Sequence, residues 1–201
     1  MSTGLPNLAI MVSGGGRTLE NLLAKIDAGE LAARVGLVIA SRECRGAEIG
    51  RGRGIDTKVM PGVIDAGVLE HELKSRGVEW VVLGGYLNLL KIPASYAGRF
   101  VNIHPALLPS FGGAGMYGER VHRAVIGAGC RVSGCTVHLC DERYDTGPIL
   151  AQRCCEVRED DTVQTLAARV FALECEVYPR AIGMLIGGKF VVEDGRARVL
   201  G

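Results

Sequence analysis

The chain has 201 residues, of which 48% are apolar and 22% charged, and its formal net charge at pH 7 is +1. This composition is typical of a globular enzyme, and we expect a single domain over residues 1–201. A charge near zero argues against nucleic-acid binding by general electrostatics, and no apolar stretch reaches the roughly eighteen to twenty residues that span a membrane.

Seven cysteines show neither an even disulfide framework nor paired Cys-x-x-Cys ligands. Several lie in apolar, strand-like sequence, so most are expected to be small buried residues of a reduced protein. The segment Met1–Pro6 lacks a basic region followed by an apolar one. The expected location is therefore the cytoplasm.

Strand-like and helix-like patterns alternate through the first half of the chain. A strand at 8–12 ends in Ser13-Gly14-Gly15-Gly16, after which apolar residues recur at helical spacing up to Gly29. Further strands are predicted at 34–40, 57–60, 80–83 and 100–103, with helices near Ala47 and from Val68 to Gly77. This alternation favours an α/β fold with a mostly parallel sheet and helices on both faces.

The alternation of predicted strands and helices ends after Asn102. A loop at 105–118 is rich in glycine and proline, and a helix is predicted at 122–128. The strands predicted at 134–139 and 149–157 have no full helix between them, which indicates an antiparallel pair. Asp161 is the expected N-cap of a last helix that ends near Pro179.

Three side chains at strand ends and loops carry the chemistry of an acyl-transfer site. Asn102 and His104 lie in the segment Asn102-Ile103-His104-Pro105, and Asp145 precedes Gly147 about forty residues later. An amide and an imidazole can bind a carbonyl oxygen as it gains charge, and a carboxylate can take a proton from an attacking amine. Taken singly, each residue is more typical of a turn, a cap or a structural role.

The segments around these residues resemble the signature of the folate-dependent formyltransferases, through Asn102-Ile103-His104-Pro105, Leu107-Leu108-Pro109, 133–138, Asp145 and Gly147. Within that family the chain resembles, over almost its full length, the members that formylate glycinamide ribonucleotide in purine biosynthesis. The resemblance implies a Rossmann-like mixed sheet. It also implies 10-formyltetrahydrofolate as co-substrate, no metal, small-molecule partners only, and a monomer or homodimer.

The same resemblance implies roles for individual residues. Asn102, His104 and Asp145 are the expected catalytic residues, with Thr136 and His138 shaping the pocket and His122 in a structural role. Expected contacts to the ribonucleotide are Ser13, Gly14, Gly15, Gly16, Arg17, Thr18, Gly85, Pro105 and Glu174. Expected contacts to the folate are Leu87, Asn88, Leu89, Leu90, Asn102, Asp141, Glu142 and Asp145.

The residues of the 13–16 loop also predict a binding site independently of the resemblance. Backbone N–H groups between a strand and a helix N-terminus favour an anion such as phosphate, although the same sequence can form a plain tight turn. The loop matches neither the dinucleotide fingerprint nor the Walker A pattern.

The chain departs from the family pattern at four places. Arg17-Thr18 replaces the family's usual Ser-Asn pair, and Asn88 stands where an arginine is common. Cys175 replaces a histidine, and the 110–122 segment is longer than usual.

Three alternative functions stay open. The amine acceptor can differ, or water can replace it, as in formyltetrahydrofolate hydrolase, which resembles a longer chain with a regulatory domain. Methionyl-tRNA formyltransferase carries an additional C-terminal domain that this chain is not expected to contain. A non-catalytic nucleotide-binding protein is the alternative from another class, and the presence of Asn102, His104 and Asp145 counts against it.

Overall fold

The computed structural model describes residues 4–200 of the chain. Its internal contacts divide the chain into two compact units, Met1–Asn102 and Ile103–Gly201. The expectation of a single domain over residues 1–201 stays a prediction.

Seven strands form one sheet in the order β3-β2-β1-β4-β5-β6-β7, and two further strands, β8 and β9, form a separate hairpin. The strands are Asn7–Val12 (β1), Arg34–Ala40 (β2), Thr57–Val59 (β3), Trp80–Leu83 (β4), Phe100–His104 (β5), Val132–Leu139 (β6), Ile149–Glu156 (β7), Phe190–Glu193 (β8) and Arg196–Val199 (β9). The pairs β3–β2, β2–β1, β1–β4 and β4–β5 are parallel, whereas β6–β7 is antiparallel. The expected mostly parallel mixed sheet and its antiparallel pair are confirmed.

In the first unit, helices connect successive parallel strands. They are Arg17–Asp27 (α1), Arg45–Gly52 (α2) and Ala66–Lys74 (α3). All six residues of β1 are buried, because a parallel strand flanked by others packs both of its faces. This unit therefore presents the loop after β1, at residues 13–16, and the segment after β4, at residues 84–90, at the carboxyl ends of neighbouring parallel strands.

The second unit contains the long loop after β5 and two helices, Glu119–Gly127 (α4) and Val163–Ile186 (α5). Helix α5 packs against β6 and β7. Strand β6 is buried over seven of its eight residues, which places Thr136 and His138 in the interior. The loop between β6 and β7 carries Asp145.

Two expectations about α5 are wrong. The helix continues through Pro179 to Ile186, because Tyr178, Ala181 and Ile182 are buried and their packing outweighs the backbone hydrogen bond that a proline removes. Its N-cap is Thr162 rather than Asp161, since Thr162 and Thr165 form a reciprocal capping box. Asp161 instead forms a two-pronged ion pair with Arg169 at 2.7 and 2.8 Å.

The expectation that most cysteines are buried is also wrong. All seven thiols are free, but only Cys135 is buried, and Cys154 is exposed. Cys154 and Cys155 lie on β7, the last strand in the sheet order, where five of the eight residues are exposed.

The β8–β9 hairpin was not predicted from the sequence. Its turn residues Asp194 and Gly195 both have positive φ, at 50° and 71°. Asp-Gly is a typical pair for such a turn, so the signal was present in the sequence. Within residues 4–200, no helix combines the length and the apolar character that a membrane span requires.

Candidate functional site

Ser13 ties the 13–16 loop to two other strand ends of the first unit. Its hydroxyl oxygen accepts a hydrogen bond from the Ser41 hydroxyl at 2.7 Å and another from the Leu87 N–H at 3.0 Å. The Ser13 carbonyl accepts a bond from Arg42 Nε at 2.8 Å. The side chain of Ser13 is therefore an organiser of the loop, while its expected contact with the ribonucleotide stays a prediction.

The 13–16 loop leads directly into α1, which begins at Arg17. Gly16 is the N-cap with φ 72°, and no side chain caps the first N–H groups of the helix. A Cβ atom at Gly14 or Gly15 would meet no atom within 4 Å, so the loop has an open side at these glycines. Uncapped N–H groups beside open glycines are the usual setting for an oxyanion.

The segment 84–90, which follows β4, forms a loop without regular secondary structure. Gly85 has φ 78°, and the side chains of Leu87 and Leu89 are 38% and 39% exposed. Asn88 Nδ2 donates a hydrogen bond to the carbonyl of Gly62 at 2.7 Å, so this amide holds two loops of the first unit together. The exposed leucines form an apolar strip for which the unit offers no cover.

Strand β5 carries two of the expected catalytic residues. Asn102 and His104 are two positions apart on the strand and so project from the same face, while Ile103 projects from the other. His104 is 3% exposed and Asn102 is half-buried. The local strand geometry thus supplies the amide and the imidazole side by side.

The carboxylate of Asp145 lies between two imidazoles of the second unit. Asp145 Oδ2 is 3.5 Å from His104 Nδ1, and Asp145 Oδ1 is 3.5 Å from His138 Nε2. The backbone N–H of Gly113 donates to Asp145 Oδ2 at 2.9 Å. The structure therefore brings the expected pair His104 and Asp145 together and adds His138 to it.

Backbone carbonyls fix the outer nitrogen of each imidazole. His104 Nε2 is 2.8 Å from the carbonyl oxygen of Phe111, and His138 Nδ1 is 2.8 Å from that of Leu139. A carbonyl oxygen can only accept, so each of these ring nitrogens carries the proton. In the neutral rings, the unprotonated nitrogens both face Asp145.

Burial and neighbouring groups set the charges of His104 and Asp145. Burial lowers the pKa of His104 below its ordinary 6.5, and Asp145 and the Phe111 carbonyl offset only part of this effect. Burial raises the pKa of Asp145, but His138, His104 and the Gly113 N–H together outweigh it and hold this pKa below 3.8. At neutral pH the site therefore holds a neutral imidazole at His104 beside an ionised carboxylate.

The ring nitrogens and the Asp145 oxygens, 3.5 Å apart, are both available to a donor that lies beside them. A nitrogen lone pair and a carboxylate oxygen repel each other, and 3.5 Å is beyond an ordinary hydrogen bond. An N–H or O–H group placed between them could donate to either. The arrangement can thus accept a proton from a group that enters beside Asp145.

Thr136 and Gln152 hold the chain segment that follows His104. Thr136 Oγ1 donates to the Ala106 carbonyl at 2.7 Å and accepts from the Leu108 N–H at 3.0 Å. Gln152 Nε2 donates to the Leu108 carbonyl and to Thr136 Oγ1, both at 3.0 Å. Thr136 has the shaping role expected of it, whereas Gln152 was not singled out because a polar residue on a strand carries no local signal.

The remaining expected contacts are dispersed within the second unit. Asp141 accepts bonds from the Thr146 hydroxyl and the Arg143 N–H, so its carboxylate organises the 141–146 loop, while Glu142 is exposed. Glu174 lies on α5 close to Cys135, whose pKa is raised to about 12 mainly by burial and further by Glu174. Pro105 is half-buried.

His122 is buried on α4 with no hydrogen-bond partner for Nδ1. Burial and the nearby His104 lower its pKa. These features agree with the structural role expected of it.

A cavity of about 320 Å³ lies against Asp145 in the second unit, lined by Leu108, Pro109, Gly112, Tyr144 and Ile149 among others. Its walls are mostly apolar and backbone groups, with one carboxylate. Within residues 4–200, no group of three or more His, Cys, Asp or Glu side chains is arranged to hold a metal ion.

Comparison with known sequences identifies the family of the chain. The profile of the formyl transferase family matches residues 6–182. The chain therefore belongs to the formyl transferase family.

Particular relatives carry more specific names. The chain is 39% identical over 188 residues to the chloroplastic phosphoribosylglycinamide formyltransferase of Arabidopsis thaliana, a match that covers 89% of this chain and 64% of that protein. Glycinamide ribonucleotide transformylase 1 of Symbiobacterium toebii is similar in structure, with a TM-score of 0.89, 34% identity and coverage of 100% and 96%. A formyltetrahydrofolate deformylase of Burkholderia mallei has a TM-score of 0.85 at 25% identity, with coverage of 98% and 71%.

The geometry of the pair predicts the titration of His104. Because the Asp145 carboxylate raises a pKa that burial lowers, Asp145→Asn is expected to move the His104 midpoint further below 6.5. Imidazole chemical shifts, followed by NMR from pH 4 to 8 in wild type and variant, give this midpoint. A midpoint that stays in place or rises in the variant would show that the carboxylate does not act on His104.

Proposed function

We propose that the protein transfers the formyl group of 10-formyltetrahydrofolate to the amine of glycinamide ribonucleotide, a step of purine biosynthesis. The observation that carries this proposal is the Asp145 carboxylate, 10% exposed, between His104 and His138 in a member of the formyl transferase family. The names of the Arabidopsis and Symbiobacterium proteins support this choice of acceptor. The chain spans 64% of the length of the Arabidopsis protein. The activity of that whole protein is therefore a proposal for this chain.

The first step is attack of the amine on the formyl carbon. It gives a tetrahedral intermediate whose oxygen is negative. The His104 imidazole is the proposed donor to this oxygen, and the side-chain amide of Asn102, on the same face of β5, is the second. Each such donor typically stabilises the transition state by roughly 3 to 4 kcal/mol, because the charge develops in a site that excludes water.

The second step is proton transfer. The attacking nitrogen becomes an ammonium, and its proton passes to Asp145, directly or through one water. The low pKa of Asp145 keeps the carboxylate ionised and ready to accept, and the unprotonated Nδ1 of His104 helps to hold the proton there. The proton then returns to the folate nitrogen as the bond between that nitrogen and the formyl carbon breaks.

The first unit supplies the proposed contacts to the phosphate. The uncapped N-terminus of α1 and the open glycines 14 and 15 suit a phosphate group, and Arg17 and Thr18 begin the helix there. Ser13, which organises this loop, and Gly85 are proposed to contact the same ribonucleotide. In the second unit, Pro105 and Glu174 complete the proposed set.

The apolar strip of Leu87 and Leu89 suits the flat ring of a reduced folate, because exposed leucines gain free energy when an aromatic surface covers them. Leu90, Asn88, Asp141 and Glu142 are proposed to border the same co-substrate. Asn88 already donates to the Gly62 carbonyl, so its role is to fix the strip rather than to pair with a charged glutamate tail.

The wider setting is part of the same proposal. We propose a single cytoplasmic enzyme domain that acts as a monomer or homodimer on small molecules and binds neither nucleic acid nor membranes. No metal takes part, since the folate carries the one-carbon unit and the protein supplies orientation and electrostatics.

Water is the competing acceptor. The Burkholderia deformylase shares the fold, and a cavity of about 320 Å³ lies against Asp145. One assay separates the acceptors: turnover of 10-formyltetrahydrofolate with glycinamide ribonucleotide, with other amines, and with water alone. Transfer to glycinamide ribonucleotide that exceeds hydrolysis by several orders of magnitude supports the proposal, whereas equal rates with and without the amine would make the protein a hydrolase.

Asp145→Asn is expected to lower kcat by roughly two to four orders of magnitude, since a positioned proton acceptor is lost. The variant keeps the shape of the carboxyl group, so we expect near-normal folding, which circular dichroism checks. Exposed Arg143→Gln in the same loop is the matched control and should keep near-normal kcat. A folded Asp145→Asn variant with wild-type turnover would remove Asp145 from the reaction.

Gly15→Val is expected to weaken binding of the ribonucleotide far more than binding of the folate. The added Cβ meets no protein atom within 4 Å, so we expect the variant to fold, which circular dichroism checks, and to obstruct what approaches the open loop. Separate calorimetric titrations with the two ligands measure the effect. Unchanged affinity for the ribonucleotide would show that the 13–16 loop is a plain turn.

A further inference from the structure

The segment that follows β2 contains one arginine, Arg42, whose charge is not neutralised by an ion pair. The other arginines between residues 42 and 53 all pair with carboxylates: Arg45 with Glu20 at 2.9 Å, Arg51 with Glu43 at 2.7 Å, and Arg53 with Asp27 at 2.7 Å. Arg42 is exposed, and no carboxylate among residues 4–200 forms an ion pair with it. This segment therefore keeps one cation available to an anion from solution.

The guanidinium group of Arg42 is fixed against the 13–16 loop by one of its nitrogens. Nε donates to the carbonyl oxygen of Ser13 at 2.8 Å, directly before the open glycine Gly14. The terminal nitrogens Nη1 and Nη2 carry the remaining N–H groups, which lie in one plane and can bind two oxygens of the same phosphate. Because Nε is already held, less conformational entropy is lost when those terminal groups bind an anion.

The first turn of α2 lies against the same loop. The Gly46 N–H donates to the Gly14 carbonyl at 3.0 Å, and a Cβ atom at Gly16 would stand 2.8 Å from the Gly46 Cα. Among the described residues, no side chain caps the N-terminus of α2, just as none caps that of α1. Two helix N-termini, each with a partial positive charge, therefore meet at the 13–16 loop beside Arg42.

The ion pairs of the segment also engage the acidic side chains that would repel an anion. Glu43, the neighbour of Arg42 in sequence, accepts two hydrogen bonds from Arg51 at 2.7 and 2.9 Å. Glu20, in the first turn of α1, accepts one from Arg45 at 2.9 Å. The arginines of this segment thus differ in role, since Arg45 and Arg51 neutralise carboxylates and Arg42 does not.

From these contacts, we propose that Arg42 is a specificity residue for the ribonucleotide, whose phosphate it binds through Nη1 and Nη2 while backbone N–H groups of the 13–16 loop bind the other oxygens. The inference rests on the proposed function, which puts the phosphate at this loop. Backbone N–H groups and helix dipoles supply only partial charges, whereas the guanidinium supplies a full one. Arg42 therefore makes the site select a doubly charged phosphate monoester over the uncharged ribonucleoside.

Steady-state kinetics test this role of Arg42. Arg42→Gln should raise KM for glycinamide ribonucleotide roughly ten- to a hundredfold, the loss typical of hydrogen bonds to a charged group, with kcat and KM for 10-formyltetrahydrofolate nearly unchanged. Arg42→Lys keeps the charge without the planar fork and should lie between wild type and Arg42→Gln. The control Arg45→Gln should match wild type. A loss of kcat at unchanged KM in Arg42→Gln, or an equal rise of KM in Arg45→Gln, would overturn the proposal.

Titration with inorganic phosphate tests the contact without any turnover. Backbone amide shifts of residues 13–18, followed by NMR, give the dissociation constant, which should be about tenfold or more higher in Arg42→Gln at low salt, with a difference that shrinks as salt rises. Equal phosphate affinity in wild type and Arg42→Gln would overturn the role of Arg42 and leave the loop as the phosphate site.

Two further outcomes of this titration would count against the account in different ways. If the loop spectrum of Arg42→Gln already differs before phosphate is added, Arg42 acts by holding Ser13, and the direct contact is overturned. If phosphate shifts no amide of the 13–16 loop even in wild type, the proposed contact of this loop with the ribonucleotide is overturned together with the role of Arg42.

Discussion

The constraint on which the rest of the site depends is the position of one largely enclosed carboxylate between two imidazoles. Asp145 lies 3.5 Å from both His104 and His138, and a backbone carbonyl holds the far side of each ring. The rings therefore cannot turn away, and each presents an unprotonated nitrogen to the carboxylate when neutral. Burial keeps the His104 imidazole neutral, whereas the two imidazoles and the Gly113 N–H outweigh burial at Asp145 and keep its carboxylate ionised.

Elements of ordinary structure serve this arrangement. The β6–β7 loop must turn sharply to bring Asp145 back towards His138, and Asp145 itself has φ 58°. A side chain at Gly147 would collide with the Leu139 carbonyl oxygen, so the glycine is a steric requirement of that turn. Together with Thr136, which links the segment after His104 to β6, these contacts hold an otherwise irregular site to the sheet.

Much of the fold could be predicted from the sequence because local periodicity decides it. The strand, glycine loop and helix at the start of the chain follow from the apolar run of β1 and the spacing in α1, and Asn102 and His104 follow from their place on β5. Local rules fail where packing outweighs them. Helix α5 passes through Pro179 because its apolar face is buried on both sides of the proline.

The sequence predicts which side chains form the candidate site, but not which backbone groups contact them. His104 and Asp145 carry recognisable chemistry, so the sequence names them. The Phe111 carbonyl and the Gly113 N–H do not, because every residue has these groups and only the path of the loop brings them to the pair. Gln152 was missed for a similar reason, since its amide acts on the Leu108 carbonyl, 44 positions earlier in the sequence.

The central claim is tested most directly by the tautomers of the two imidazoles. Nitrogen-15 NMR at pH 8 distinguishes a protonated ring nitrogen from an unprotonated one. The account predicts opposite tautomers in the resting protein, with the proton on Nε2 of His104 and on Nδ1 of His138, so that both lone pairs face Asp145. A proton on Nδ1 of His104, or the same tautomer in both rings, would contradict it.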